Sequence, residues 1–254
     1  MDNYFLVEKA LSKNILLDKD EYRVLVSGNA KYSWKITYKY SDLYISSDND
    51  ILDKIKEKIL SFYEIVEDTI SKNPLFEKSL NPIQVHDCCV SLIKDMCSSS
   101  AKFNVGPMAS VAGALCEYIA KDIDKKTKYL VIENGGDIYL RANKDINIGV
   151  FLKSKYFNKN DLIFKLKKKY LPCGIASSSG TFGHSLSLGK GDLVVVIAKN
   201  VMIADSAATS IGNRINTKDD IEKTINHFKN YEEILGLIII KDDKIGLYGI
   251  IELI

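Results

Sequence analysis

Several features are missing from this sequence, and each absence removes a class of protein. Its five cysteines are an odd number and none forms a CxxC pair, which argues against a disulfide framework or a zinc ribbon and fits a reducing compartment. No run of eighteen apolar residues occurs, so a membrane-spanning helix is not expected. The stretch Met1 to Leu17 carries Asp2 and Glu8 where a secretory signal would be basic, and the expected location is the cytoplasm. Neither sign of charge dominates: 35 Lys and Arg stand against 33 Asp and Glu. Neither a nucleic-acid partner nor an acidic membrane surface is indicated, so an anionic ligand has to be held by a local site. Linkers and internal repeats are absent too, and residues 1–254 are expected to form one domain, at most two interleaved lobes.

What is present is a globular composition, 46% hydrophobic and 27% charged. The segment from Tyr22 to Ser46 reads as a meander: Val24 and Val26, then Ser33 to Tyr40, then Leu43 to Ile45, with a turn at Gly28 and Asn29. Ile51, Ile55, Ile59, Phe62, Val66 and Ile70 form a helical stripe that Pro74 ends. A second helix is expected after Pro82, with Val85, Cys89, Leu92 and Met96 on one face and a break at the serine run 98–100. Gly106 and Pro107 open a third, whose Ala109, Ala112, Gly113 and Ala114 would let another backbone come close. Strands are expected at Tyr129 to Ile132, Ile138 to Leu140, Ile146 to Phe151 and Leu193 to Ala198. Helices near Met202 to Arg214 and Lys218 to Phe228 follow, then strands Leu235 to Ile240 and Ile245 to Leu253. The run of Lys165, Lys167, Lys168 and Lys169 alternates with Phe164, Leu166 and Tyr170 and reads as a solvated edge.

Three segments carry candidate chemistry. Asn134, Gly135, Gly136 and Asp137 follow an apolar strand, and two glycines there serve either a hairpin turn or a backbone cradle for phosphate. From Ser177 to Gly191, five serines and four glycines fill nine of fifteen positions around His184, a loop able to offer hydroxyls and amides to phosphate or ribose. His86 and His227 lie in helical patterns and read as structural. Finally, Asp205 and Thr209 stand four apart on one helical face, so a carboxylate and a hydroxyl could reach one hard cation. The alternative is that the dipole at the helix start favours Asp205.

Taken in order, the Gly-Pro-Met-Ala helix opening at Gly106 to Ala109, the strand ending Asn-Gly-Gly-Asp-Ile, the Ser-Gly loop with its histidine, and Ala204-Asp205 followed by Thr209 resemble the ApbE-like family over roughly residues 104–213. Members of that family are magnesium-dependent FAD:protein FMN transferases, which split FAD and attach FMN through a phosphoester to Ser or Thr of a target protein. The resemblance implies an α/β (α+β) fold with a mixed, largely antiparallel sheet core and packed helices, in a shorter cytoplasmic branch of archaea and bacteria. By motif, Asp205 and Thr209 match side-chain metal ligands and Ala109 a backbone-carbonyl ligand. Asn134, Gly135, Gly136 and Asp137, with Ser178, Ser179 and Gly180, match the cofactor-binding segments, and His184 matches the catalytic histidine. The implied cofactor is Mg2+ or another hard divalent cation, with FAD as substrate. The implied partners are a flavin or nucleotide and an intracellular acceptor protein, and a homo-oligomer is compatible with the sequence.

Two departures stand out. Ser110 occupies a position where the transferases usually carry lysine, and Ser185, Leu186 and Ser187 follow His184 where they carry Ile-Asp-Pro. Three functions are therefore weighed: a magnesium-dependent FMN transferase or FAD-cleaving enzyme, a flavin- or nucleotide-binding protein without transfer, and a component of cytoplasmic sulfur or homocysteine metabolism. The last would need cysteines such as Cys88, Cys89, Cys97 and Cys116.

Overall fold

The computed structural model describes residues 5–9, 25–26, 30–84, 89–123, 125, 127–150, 156–157, 162–179 and 191–254. Its centre is a nine-stranded sheet whose neighbouring strands all run antiparallel. In spatial order the strands are β1 (Leu6–Lys9), β3 (Tyr32–Tyr38), β4 (Ser41–Ser47), β5 (Leu130–Asn134), β6 (Asp137–Arg141), β9 (Cys173–Ser178), β10 (Leu193–Ala198), β11 (Ile234–Lys241) and β12 (Lys244–Gly249). A smaller sheet of β2 (Leu25–Val26), β7 (Ile146–Gly149) and β8 (Ile163–Leu166) covers one face. The other face carries helices α1 (Leu52–Lys72), α3 (Ser91–Lys102), α4 (Val111–Ile123), α5 (Val201–Gly212) and α6 (Asp220–Phe228). A short α2 (Leu75–Lys78) follows α1.

The layering explains the sequence of β10. A strand sends alternate side chains to opposite faces. Leu193, Val195 and Ile197 join the core under the small sheet, while Val194, Val196 and Ala198 pack under α5. Both faces are covered, so the whole strand is apolar. Helix α5 is buried in turn, among β9, β10, α3 and α4. Its start lies directly on Gly174, where a Cβ would come within 2.3 Å of the Asn200 backbone. Asn200 caps the helix by accepting from the Ile203 N–H at 2.9 Å, a bond that satisfies one otherwise orphaned donor.

The sheet-and-helix class is as the sequence implies, and four local expectations are corrected: first, the helix expected after Pro82 begins only at Ser91, so Cys89 precedes it. Strand β2 leaves the proposed meander to pair with β7 in the small sheet, whereas β3 and β4 form the hairpin as expected. Ser98 to Ser100 lie inside α3 and do not end it. The hydroxyls of Ser98 and Ser100 donate back to the carbonyls of Asp95 and Cys97, each at 3.1 Å, so they are accommodated within the helix. Ser177 and Ser178 close β9 and are not loop residues. The expected turn at Gly28 and Asn29 lies outside the described residues.

Candidate functional site

Asp205 is the only charged residue in α5. A carboxylate in such a helix needs partners, because burying an isolated charge is costly. The alternative of a partner at the N-terminus of its own helix is not met, because α5 begins at Val201, a full turn earlier. Asp205 instead serves the start of α4: its Oδ2 accepts from the Gly113 N–H at 2.9 Å, and the Ala112 N–H also acts on it. Gly113 allows this closeness, since a Cβ there would lie 2.6 Å from the Val201 carbonyl oxygen and 3.0 Å from Asp205 Cβ.

This contact alters the approach to α4. Residues Pro107–Ser110 form a 3-10 turn, and α4 proper starts at Val111. In a continuous α-helix the Gly113 N–H would donate to the Ala109 carbonyl. Here that donor is turned to Asp205.

The Gly-Gly segment is a tight hairpin turn. Asn134 pairs with Asp137 across it, and Gly135 and Gly136 have φ of 63° and 107°, the left-handed values of a primed two-residue turn. Gly135 is exposed with open space above it, whereas a Cβ on Gly136 would lie 2.4 Å from Ser177 Oγ. The Gly136 N–H is taken by Glu133 Oε1 at 2.9 Å. Strand β6 then carries Asp137 inward, where its main-chain carbonyl accepts from the thiol of fully buried Cys116 on α4 at 3.4 Å.

Asp137 and Asp205 meet beneath this turn. Burial pushes the Asp137 carboxyl well above the usual carboxylate range, and the charge of Asp205 raises it further against a donation from the Ser177 N–H. Burial also raises Asp205, up to about 7, while the Gly113 N–H, Asp137 and the Ala112 N–H hold it down. Two carboxyls in contact, Asp137 buried and Asp205 half-buried, cannot both ionise cheaply, so both are raised. Asp137 is 6% exposed, and its Oδ1 has no hydrogen-bond partner among the described residues. Among the described residues, the groups acting most strongly on the two carboxyls include Glu133 and backbone N–H groups and no cationic side chain.

The remaining candidates are placed as follows. Thr209 lies one turn beyond Asp205 on α5, and Thr209 and Ala109 are both half-buried. Ser178 is buried and shares the helix-facing side of β9 with Gly174 and Ala176 by strand alternation. The Ser179 hydroxyl donates to the Asp192 carbonyl at 2.8 Å. Gly180 and His184 lie outside the described residues, as do His86 and Cys88. Ser110 is fully buried and donates to the Pro107 carbonyl at 2.8 Å. Burial raises the thiols of Cys97, Cys116 and Cys173, the reverse of what a reactive cysteine needs. No group of three or more His, Cys, Asp or Glu is arranged to hold a metal among the described residues. The Asp137 to Asp205 contact is the feature that sequence reasoning missed; an acidic residue ending a turn above an apolar helix that itself holds one acid was the available signal.

Comparison with known proteins places this geometry in context. Residues 23–233 match the family described as "AbpE bacteria". A UPF0280 protein of Methanococcus vannielii is 38% identical over 224 residues, covering 86% of this chain and 90% of that protein. A UPF0280 protein of Methanocaldococcus jannaschii is 38% identical over 207 residues, covering 80% and 84%. Among solved structures, the flavin transferase ApbE from Vibrio cholerae superposes with a TM-score of 0.48 at 12% identity, over 89% of this chain and 97% of that one.

Proposed function

The chain belongs to the AbpE bacteria family, and on that premise we propose that it seats a divalent cation, Mg2+, at Asp205 and binds a flavin or nucleotide pyrophosphate, FAD foremost. The observation that carries the reading is the pair of buried Asp137 and half-buried Asp205 under the Gly-Gly turn, with no cationic side chain among the described residues that act most strongly on it. A hard cation favours carboxylate, carbonyl and hydroxyl oxygens. Asp205 supplies a carboxylate, Thr209 a hydroxyl one turn on, and Ala109 a carbonyl whose usual helical donor is turned away. When bound, the cation would neutralise pyrophosphate charge and orient it.

The chain's own residues supply the rest of the site. Gly135, exposed and without a Cβ, leaves space for a ligand to approach the turn backbone. Ser178 adds a hydroxyl on the face that carries Asp137. His184 is proposed as the base that accepts the proton of the attacking hydroxyl. Attack by a Ser or Thr hydroxyl of an intracellular acceptor on the FMN phosphorus would form the phosphoester and release AMP. Attack by water would give FMN and AMP.

A second reading, binding without transfer, is favoured by Ser110. Its hydroxyl is buried against Pro107 and Met96 carbonyls, so it cannot provide the charge of the lysine that the transferases carry. One incubation decides between the two: purified protein with FAD and Mg2+, assayed for AMP and for free or protein-bound FMN. AMP appearing with FMN supports the enzyme. FAD that raises the melting temperature without AMP supports the binding protein. Neither effect, from folded protein, overturns both.

A further inference from the structure

We infer that Asp137 is the second carboxylate of the cation seat, binding the same ion as Asp205. This deepens the reading of the Asp205 site given above and rests on it. The motif resemblance gives Asp137 to the cofactor turn. The structure turns its side chain inward, away from the turn surface and against α5.

Three observations carry the inference. First, Asp137 Oδ1 is buried with no hydrogen-bond partner among the described residues. A buried carboxylate oxygen without a donor is costly in any fold, and the cost is removed when the oxygen meets a cation. Second, its neighbour is another acid. Where like-charged carboxylates touch in a low-dielectric interior, an added positive charge stabilises both. Third, one oxygen of Asp205 is already engaged: Oδ2 accepts from the Gly113 N–H at 2.9 Å. Asp205 is left to bind an ion chiefly through its other oxygen. A single carboxylate oxygen, the Thr209 hydroxyl and the Ala109 carbonyl make a poor match in charge for a doubly charged ion. Asp137 completes the match, and Mg2+ sites commonly combine one or two carboxylates with substrate phosphates and water.

The placement also gives Asp137 a distinct consequence. It is the residue that ends the Gly-Gly turn, so an ion held by Asp137 and Asp205 ties that turn to the junction of α4 and α5. The turn that receives the ligand and the seat that balances its charge then form one unit.

The test uses the full chain without flavin and Mn2+ as the probe, with free Mn2+ read by its electron paramagnetic signal and Mg2+ used as competitor. The wild type should bind Mn2+, and D137N and D205N should each weaken binding about tenfold or more. Metal-free melting supplies a second readout that a merely structural role would move the other way. In EDTA at pH 8, D137N should melt at or above the wild type, because a neutral amide beside Asp205 removes the cost of placing two acids in contact, and added Mg2+ should no longer stabilise it. D137S serves as an independent replacement. D137N that binds Mn2+ within about twofold of wild type, or that melts below wild type or fails to fold in EDTA, overturns the inference while leaving the Asp205 seat standing. A wild type that binds no Mn2+ overturns the cation reading of the whole site.

Discussion

At Gly136 the backbone disfavours a side chain, and one that formed would have to displace the Ser177 hydroxyl. Its φ of 107° is a conformation that L residues rarely adopt, and a Cβ would lie 2.4 Å from Ser177 Oγ. Gly135 has a permissive φ of 63° and open space, which asparagine tolerates. G136A should therefore lower stability by about 1–3 kcal/mol, while G135N should stay within about 0.5 kcal/mol of wild type, both measured by urea denaturation. Equal effects at the two positions would contradict this account of the turn. The residues themselves were legible in the sequence: a lone aspartate in an apolar helix and a Gly-Gly pair between strands both stand out locally. Their meeting was not, because Asp137 and Asp205 reach each other through the packing of β6 against α4 and α5, which no local pattern encodes. His184 was equally legible as a candidate, and its position is outside the described residues.

At the scale of elements, the junction of α4 and α5 is set by Gly113. Replacing glycine by alanine in a solvent-facing helix adds roughly 1 kcal/mol of stability. Here the new methyl would sit 2.6 Å from the Val201 carbonyl oxygen, so the helices would have to part and the Asp205 bond to the Gly113 N–H would stretch. G113A is expected to destabilise by about 1–3 kcal/mol and to weaken Mg2+-dependent stabilisation at the same time, both read in one thermal melt with and without Mg2+. A gain in stability would show that the helices are not in contact there. The small residues of α4 announced this close approach, and the terminus of α1 next to Pro74 was equally readable. The serine run misled because serine hydroxyls can bond either to solvent or back into a helix, and in α3 even the exposed Ser98 bonds back to a carbonyl. Strand β2 misled for a related reason: local alternation marks a strand without specifying which sheet receives it.

For the whole molecule, the pair of Asp137 and Asp205 makes stability depend on pH. Asp137 and Asp205 hold protons in the folded chain that an unfolded chain, with carboxyls at the ordinary 3.8, has released. A group raised in this way makes the folded state less stable as pH climbs from its ordinary value through its folded one. The metal-free protein should therefore lose melting temperature between pH 5 and pH 8, by roughly 2–6 °C. The surface carboxyls held low by their partners, Asp122, Asp220, Asp243, Glu233 and Glu252, contribute above their ordinary values and lose that contribution only in more acidic solution. They leave this window unaffected. Added Mg2+ should flatten the decline by replacing the missing positive charge, and a metal-free protein whose stability rises from pH 5 to pH 8 would contradict the paired-acid description. The central claim is that cation and pyrophosphate share one site, and calorimetric titration of the protein with FAD, once with Mg2+ and once with EDTA, tests it most directly. The account predicts binding with Mg2+ that weakens at least about tenfold in EDTA; equal affinity in the two solutions, or no binding in either, would contradict it.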